Sequence, residues 1–427
     1  MSNAFLNATE YANSMLLLAK NFLVTGRLVE GKFKNQVTDE NGLTVNVKRP
    51  PRFVAGSGAA LSTQDIVTGS VNVAVDQYSN VHLQIGDLES VQSFNALMRN
   101  SAMRSAAQTL ASQIDSYLQS KVLGFHGWAV ASGKTLDATK AIPAVQGLMA
   151  ARTRLEENGV PMVDLAGTLA PVDGELIRGA MLTNFTPGEN VSAMERARIP
   201  VVSEIDWYDT QQTPSLTTGT RTNGAVNGAS QNVNYRTVKS TNSQTIAADG
   251  FGAAATVKKG EVFTIAGVYA WDWRANGGAG AKLPYLQQFT VLADATADGA
   301  GAIAALSISP PIIVQGTNDG TDTKANTAFA TVDSAPADNA VITWAVAAST
   351  TVRVRAAWQK SAIQMVSARL QTPFTGVSSF ATDPETGISI RYWRGSDIST
   401  GNHIHRFDTI YGATNVDPFM GTRIAGY

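Results

Sequence analysis

Hydrophobic and polar positions follow two different periods along the chain. In two segments, from Glu10 to Leu23 and from Asp87 to Leu123, apolar residues recur every three or four positions. That spacing lines side chains up on one face of an α-helix. It predicts a short helix over 10–23 and one long spine helix over 87–123 with Asp87 as N-cap. Two further helices are predicted, over 137–158 and from Pro171 onward.

A period of two appears between these helices and predicts a long hairpin. Its alternating apolar positions are Val45, Val47, Val71, Val73 and Val75. Between them, the segment 50–68 contains Pro50-Pro51 and Gly56-Ser57-Gly58, which interrupt strand ladders and favour a mobile tip. A two-stranded hairpin has little core of its own. We therefore expect the hairpin to rest on something outside itself.

The composition changes near Thr213 and returns near Thr350. Within this interval Thr, Ala, Gly, Asn and Ser dominate and helical periodicity is lost, which predicts a separate β-rich insertion. Candidate strands inside it are 261–265, 285–292, 303–308 and 341–346. Strands of the parent domain are expected before it at 162–169, and after it at 351–355, 363–367, 388–393 and 404–411.

Charge and composition exclude several classes of protein. Lys and Arg total 33 against 34 Asp and Glu, so the net charge of −1 gives no basic surface for reading nucleic acid. The chain has no cysteine, which excludes disulfides and thiol catalysis. The apolar run 15–19 lacks the flanks of a signal peptide, and no stretch approaches the ~20 apolar residues of a bilayer crossing. We expect a soluble protein without a membrane partner.

Two motifs raise the possibility of chemistry, and each has a plainer interpretation. Gly133-Lys134-Thr135 resembles the end of a phosphate-binding loop, but Gly127 precedes it by one residue too many, so a loop between helices is favoured. His403 and His405 share a strand face and, with Asp408, could in principle hold a metal. Partly exposed strand histidines are the favoured interpretation.

The insertion carries two further candidates. Five aspartates in its glycine-rich loops could suggest calcium, but their spacing is not that of a calcium loop, so turn chemistry is favoured. These are Asp294, Asp298, Asp319, Asp322 and Asp333. Trp271-Asp272-Trp273 could stack on a sugar or a base, or form an edge of the domain's core. We identify no catalytic, cofactor or metal site, and expect a protein that is not an enzyme.

Three segments resemble one family of virion proteins. Lys258-Lys259-Gly260-Glu261, followed by Val262–Val268, is similar to the insertion-domain segment of the podovirus branch of tailed-phage major capsid proteins, which have the Hong Kong 97-type fold. The segment 166–182, a strand ending in Ala-Pro before a helix, resembles that family's mixed domain. The chain end, with Phe407–Tyr411, Gly412-Ala413 and Pro418–Ile424, resembles its last two strands.

The resemblance implies an α+β fold of six segments. These are an N-terminal arm (1–43), an E-loop hairpin (44–80), a P-domain with the spine helix (81–160), an A-domain (161–215), an inserted six-stranded β-barrel domain (216–349) and return strands of the A- and P-domains (350–427).

The resemblance also implies the partners. Many copies in hexamers and pentamers would form an icosahedral shell around double-stranded DNA, assembled in the host cytoplasm with a separate scaffolding protein and a portal protein. Inter-subunit contacts would use Val45, Val47, Val71, Val73, Val75, Arg236 and Lys239, and Glu10 would contact the scaffolding protein. The family's charged loop at the twofold contact matches a short stretch here, 235–242, which carries only Arg236 and Lys239 as charged residues.

Two alternatives from other classes stay open at this point. A virion or tail-associated carbohydrate-binding protein would explain the Thr, Ala and Gly richness and Trp271/Trp273, but not the spine helix. A nucleotide-dependent enzyme would require the misspaced Gly133-Lys134-Thr135 to bind phosphate.

Overall fold

The computed structural model describes residues 8–31, 42–56, 63–86, 101–137, 139–140, 145–184, 201–321, 323–397 and 402–426. These form two compact units. The first comprises residues 1–47, 72–121 and 363–415, and the second comprises 48–71, 122–362 and 416–427. The boundary between them runs through the hairpin.

The first unit is a β-sheet with two helices. The helices are α1 (Ala8–Phe22) and α2 (Ser101–Lys121). The strands are β3 (Gln77–Gly86), β18 (Ile363–Ala368), β19 (Val377–Thr382), β20 (Ser389–Asp397) and β21 (Asn402–Asn415). The order is β18-β21-β20-β19, with β3 paired to β21, and all of these pairs are antiparallel.

The helical periodicity is confirmed where the structure describes it. In α2, the buried side chains repeat at three- to four-residue spacing, at Met103, Ala106, Leu110, Ile114 and Leu118. A 3₁₀ turn, Val122–Gly124, ends the helix as predicted. The predicted first part of the spine, 87–100, lies outside the described residues.

The predicted arm contains a helix that belongs to the core of the first unit. α1 buries Tyr11, Ala12 and Met15, and it packs against α2, β19 and β20. Tyr11 stacks on Tyr392 of β20 with ring centroids 5.0 Å apart. Further along, the backbone of Glu30 bonds to Ile363 and Met365, adding a bridge to the edge of β18. The described part of the segment predicted as an N-terminal arm is therefore packed, because the apolar face of α1 covers the sheet.

A buried carboxylate on the spine helix fixes the turn that follows α1. Asp115 accepts hydrogen bonds from the backbone N–H groups of Val24 (2.8 Å) and Gly26 (3.0 Å). Gln119, one helical turn later, donates to the Thr25 hydroxyl at 2.8 Å. Burial raises the pKa of Asp115 to about 6, although the backbone hydrogen bonds oppose this shift. The carboxylate satisfies donors that would otherwise be buried without a partner.

The second unit contains a five-stranded sheet and a barrel. The sheet has the order β4-β22-β17-β5-β6. Its strands are β4 (Trp128–Ala129), β5 (Leu165–Leu169), β6 (Asp206–Asp209), β17 (Arg355–Gln359) and β22 (Gly421–Ile424). The helices α3 (Val145–Glu157) and α4 (Pro171–Asn184) belong to the same unit. The core under α3 contains Leu148, Leu155, Leu165, Leu169 and Ile424.

One helix boundary was wrong. The helix predicted from Asp137 begins at Val145, while residues 138 and 141–144 lie outside the described residues. Asp137 is extended because its N–H donates to the Gly426 carbonyl (3.1 Å). Its carboxylate also accepts the Thr139 N–H at 3.1 Å, which is a turn interaction that competes with helix formation.

The insertion is a closed barrel in the order β11-β12-β14-β9-β8-β15. Its strands are β8 (Gly224–Val226), β9 (Gln244–Asp249), β11 (Val262–Asp272), β12 (Ala281–Val291), β14 (Ile303–Ser309) and β15 (Val341–Trp344). Short elements beside it are β10 (Thr256–Val257), β13 (Ala295–Thr296), α5 (Tyr235–Val238), α6 (Ala275–Gly278) and α7 (Lys324–Ala328). Its core is apolar and includes Ile246, Phe251, Phe263, Phe289 and Ile308.

The chain enters and leaves the barrel through a small ladder. β7 (Ser215–Thr217) pairs antiparallel with β16 (Thr351–Arg353). The six barrel strands fall inside the predicted interval 216–349, and the four strands predicted in that interval are confirmed. The boundaries of the six predicted segments stay predictions. β8 and β9 were missed because short, Ala- and Thr-rich strands give a weak alternating pattern.

The buried carboxylate predicts a pH dependence of stability. A folded-state pKa of about 6 against 3.8 for the free group means that the folded chain holds this proton more tightly than the unfolded chain. The contribution of Asp115 to the free energy of unfolding is therefore largest below about pH 4 and falls by roughly 2–3 kcal/mol as the pH rises to about 6.

Urea unfolding of the wild type and of Asp115→Asn across this pH range measures the effect. The free energy of unfolding of the wild type minus that of the variant should fall as the pH rises. A difference that stays constant with pH would contradict this role of Asp115.

Candidate assembly surfaces

The hairpin pairs β1 (Thr44–Lys48) with β2 (Ser70–Ala74) as predicted, but its apolar face is covered by its own chain. Val45, Val47, Val73 and Val75 are all buried in the isolated chain, and Val71 is half-buried. The inter-subunit role of these valines stays a prediction, and four of the five are already covered by their own chain. A side chain that is already buried has almost no surface left to bury in an interface.

A glycine allows this close packing at the base of the hairpin. Gly412 of β21 lies so near β2 that a Cβ atom there would come within 1.8 Å of the Ala74 carbonyl oxygen. Val75 donates its N–H to the Leu43 carbonyl at 2.8 Å, which joins the outer ends of the two strands. Gly412 is therefore needed so that the hairpin can lie against the sheet.

The described tip residues are held within the second unit by charged side chains. Arg236 of α5 pairs with Asp319 (Nε to Oδ2, 2.5 Å) and with Asp65 of the tip (Nη2 to Oδ2, 3.1 Å). The Asp319 side chain is fully buried. Lys324 of α7 donates to the Thr63 carbonyl. Arg236, predicted as an inter-subunit residue, thus has carboxylate partners in its own chain.

The other predicted twofold residue contributes its backbone. The Lys239 carbonyl accepts a hydrogen bond from Arg49 Nη1 at 2.7 Å, and Arg49 Nε donates to the Val416 carbonyl at 2.7 Å. Gly69 lies beside the same carbonyl, where a Cβ atom would be 1.7 Å away from the oxygen. Burial lowers the pKa of Arg49, and Asp417 opposes this shift. The inter-subunit roles of Arg236 and Lys239 stay predictions.

Aromatic rings lie beside Arg52, at the start of the tip. Tyr235 stacks on Phe329 with centroids 3.6 Å apart, and Arg52 lies 5.4 Å from the Phe329 centroid and 5.2 Å from that of Trp273. Trp271 packs closely against Gly280. Both tryptophans therefore contact their own chain, which favours the core-edge interpretation of this pair over a stacking site for a sugar or a base.

A polar clamp closes the tip itself. Gln64 Oε1 accepts the Val54 N–H at 2.9 Å, and Gln64 Nε2 donates to the Val54 carbonyl. The flanking apolar residues are exposed: Ile66 keeps 72% and Phe53 keeps 48% of its accessible surface. Phe53 and Ile66, on either side of this clamp, thus keep apolar surface that the described part of the chain does not cover.

The motif that carried the family resemblance lies where the barrel meets the rest of the unit. The Glu261 carboxylate is buried and pairs with Arg221 (2.5 Å), and it accepts the backbone N–H groups of Gly219 (2.8 Å) and Lys258 (2.7 Å). The preceding carbonyl, that of Gly260, accepts a hydrogen bond from Arg423 Nη1 at 2.5 Å. The Lys-Lys-Gly-Glu turn thus anchors two buried arginines.

Arg423 of β22 is a buried cation without a carboxylate partner among the described residues. Its guanidinium donates to the carbonyls of Gly260 and Leu123 and lies 5.6 Å from the Trp128 ring centroid. Burial lowers its pKa to about 9. Sequence analysis missed this residue, because an arginine in a strand normally indicates an exposed position.

Side chains of β12 make a second set of contacts between the barrel and the five-stranded sheet of the same unit. Gln288 Oε1 accepts the Trp128 N–H at 2.7 Å, and its Nε2 donates to the Trp128 carbonyl at 3.4 Å. The amide thus occupies the position of a neighbouring strand along the free edge of β4. Thr290 donates to the Phe125 carbonyl at 3.0 Å.

His405 has a hydrogen-bonding partner in its own chain. His405 is buried, and its Nδ1 lies 2.8 Å from the Tyr392 hydroxyl. Burial, reinforced by Arg394, lowers the pKa of His405 to about 4. Asp408 instead pairs with Arg391 and Arg406, each at 2.6 Å. Across the described part of the chain, no group of three or more His, Asp or Glu side chains is placed to hold a metal ion.

The remaining motifs are turns. Lys134 donates its N–H to the Ala131 carbonyl at 3.1 Å, and Gly133 has φ of +73°, so Gly133-Lys134 forms a turn that follows β4. Asp298 accepts the N–H groups of Ala300 and Ala302, which confirms turn chemistry there. Asp294, Asp319 and Asp333 likewise accept backbone N–H groups, and Asp322 lies outside the described residues.

The predicted scaffolding contact, Glu10, is exposed on α1.

None of the helices described has the length and apolarity needed to cross a bilayer.

Comparison with protein families identifies the chain. The family model described as "P22 coat protein - gene protein 5" matches residues 5–426, so the chain belongs to this family of phage coat proteins. It is a phage major capsid protein, and many copies of it form the shell. The predicted α+β capsid fold class is confirmed. A comparison with curated proteins gives no match.

Solved phage structures resemble the chain at low identity. A structure titled "Mycobacterium phage Che8" is 11% identical with a TM-score of 0.43, covering 94% of this chain and 90% of that one. The capsid of Ralstonia phage GP4 is 7% identical with a TM-score of 0.42, covering 100% and 92%. The CUS-3 coat protein I-domain is 25% identical with a TM-score of 0.20, covering 31% and 97%. Because these TM-scores are below 0.5, the identification depends on the family match.

The hydrogen bonds of Gln288 and Thr290 to the backbone predict that substituting either residue lowers the stability of the folded chain. Gln288→Ala leaves both backbone groups of Trp128 without their partner, which should lower the free energy of unfolding by about 1–3 kcal/mol. Thr290→Val, a matched change of similar shape in the same strand, removes one hydrogen bond and should cost about 1 kcal/mol.

Urea unfolding, monitored by tryptophan fluorescence, compares the two variants with the wild type. If Gln288→Ala lowered the free energy of unfolding no more than Thr290→Val does, the Gln288 amide would not be acting as a strand partner of Trp128.

Proposed function

We propose that the chain forms a closed icosahedral shell of hexamers and pentamers around double-stranded DNA, assembled in the host cytoplasm with a separate scaffolding protein and a portal protein. The observation that carries this proposal is the coat-protein family match over residues 5–426. Its role is structural, and we propose that it catalyses no reaction. The packed environment of Trp271 and Trp273 gives no support to the alternative of carbohydrate binding.

Charge supports DNA packaging without sequence recognition. The net charge of −1 offers no excess of cations for neutralising phosphates. DNA-binding proteins draw most of their affinity from such neutralisation. The packaged DNA would therefore be balanced mainly by counterions, with the shell acting as a container.

Scaffolding contact is proposed at α1. Its buried face is committed to the sheet of the first unit, so the exposed face that carries Glu10 is the one available to a partner. A single carboxylate on a solvated helix face can pair with a basic side chain, and such a pair is weak and sensitive to salt.

Electron microscopy of the chain expressed alone, and with its candidate scaffolding protein, tests the proposal. We expect uniform closed shells with the scaffolding protein, and monomers or irregular shells without it. A well-folded protein that stays monomeric under both conditions would refute the assembly proposal.

The hairpin tip gives a sharper prediction. Since Gln64 closes the loop onto Val54, residues 55–63 can be replaced by two glycines without removing the contacts of Arg52 and Asp65. We expect this shortened chain to unfold at the same urea concentration as the wild type but not to form shells, because the tip no longer reaches a neighbour.

The matched control replaces the same nine residues by a Gly-Ser sequence of equal length, so that reach is retained while side chains are lost. Shells of normal size from the shortened chain, counted by sedimentation and microscopy, would contradict the proposed role of the tip.

A further inference from the structure

The loop between β18 and β19 exposes a phenylalanine completely. Phe374 has a relative exposure of 107%, the highest among the large hydrophobic side chains that the structure describes as exposed. Val377, at the start of β19, keeps 59% of its surface. Contact between a phenyl ring and water is unfavourable, so burying the ring against a partner lowers the free energy. A completely exposed phenyl ring therefore has its full apolar area to lose to a partner, which makes it a candidate contact residue.

Two side chains of β20 hold the flanks of this loop. Arg391 Nη1 donates to the Gln371 carbonyl at 2.8 Å, and Trp393 Nε1 donates to the Thr375 carbonyl at 2.9 Å. Arg391 is itself fixed by Asp408, with Nη2 2.6 Å from Oδ2. The segment that presents Phe374 is therefore braced on both sides.

The end of the loop is also fitted to β20. Gly376 has φ of +84°, and a Cβ atom there would lie 2.5 Å from the Arg394 carbonyl oxygen and 2.7 Å from Trp393 Nε1. A braced loop loses little conformational entropy when a partner binds it, so more of the contact energy appears as affinity.

The composition around Phe374 indicates the kind of partner. The segment 370–382 contains no charged residue, and the arginine that touches its backbone, Arg391, is neutralised by its ion pair with Asp408. Interface centres are depleted of charge and enriched in aromatic residues, whereas a DNA contact requires Lys or Arg. The surface therefore fits an apolar protein surface better than packaged DNA. In a shell of many identical chains, each copy is surrounded mainly by other copies.

We propose that Phe374 is an assembly contact that inserts into an apolar surface of a second copy of this chain. The inference rests on the formation of shells by this protein. Burying a phenylalanine side chain changes an association constant by about ten- to a hundredfold. Because each subunit makes the contact, its loss should be evident in the concentration at which shells form.

The first experiment compares assembly with stability. Under conditions in which the wild type forms shells, Phe374→Ala should raise the subunit concentration required at least about tenfold. Its unfolding in urea should match that of the wild type, because an exposed ring adds no packing to the folded chain. Phe374→Leu, which keeps an apolar side chain, should restore most of the assembly. Thr372→Ala, on the same loop, should assemble as the wild type does.

These controls separate the inference from the function proposed above. If the wild type itself formed no shells, the proposed function would fail. If Phe374→Ala formed shells at the wild-type concentration, only the role of Phe374 would be overturned.

A second experiment identifies the partner directly. A photo-crosslinking residue, Phe374→benzoylphenylalanine, is introduced into the full chain and irradiated before and after assembly. A product of twice the chain mass in shells, absent from free subunits, supports the inference, and its crosslinked peptide locates the receiving surface. Crosslinking only to a different protein, or no crosslinking in shells, would overturn it.

Discussion

The second unit depends on two buried arginines that meet one turn of the barrel. Arg221 pairs with Glu261, and Arg423 donates to the carbonyl of the preceding residue, Gly260. A buried cation is costly unless hydrogen-bond acceptors surround it. Each guanidinium therefore holds its segment in one position, since any displacement would leave the charge without acceptors. With Gln288 along the edge of β4, these contacts join the insertion to its parent sheet by polar geometry as well as by apolar packing.

This construction suits a shell subunit. One sequence must form several slightly different contacts, so the body of each subunit has to keep its shape while exposed segments adapt. The structure divides the chain accordingly. The hairpin base, α1 and the barrel are packed, whereas Phe53 and Ile66 beside the Val54–Gln64 clamp, the face of α1 that carries Glu10, and Phe374 are exposed.

Glycines let the backbone approach itself closely at the hairpin. At Gly412 and Gly69 a side chain would collide with the carbonyl of Ala74 or Lys239. The first contact places the hairpin base against β21, and the second places the start of β2 against the segment after α5. These two glycines thus serve contacts inside the chain.

The sequence by itself determined the elements whose side chains follow a period, together with the family. Spacing of three and four predicted α1 and the described part of α2. Strand patterns predicted the hairpin, β18, β20, β21 and four of the barrel strands, whereas β19 was missed. The Lys258–Glu261 turn and the chain end carried the family resemblance, because each is a short run of consecutive residues that can be recognised without knowledge of the fold. Tertiary structure alone decided which faces are covered. It buried the hairpin valines within the chain, paired Arg236 with Asp65 and Asp319, and placed Arg423 in the interior. These outcomes depend on partners distant in sequence, and periodicity reports only which side of an element is apolar.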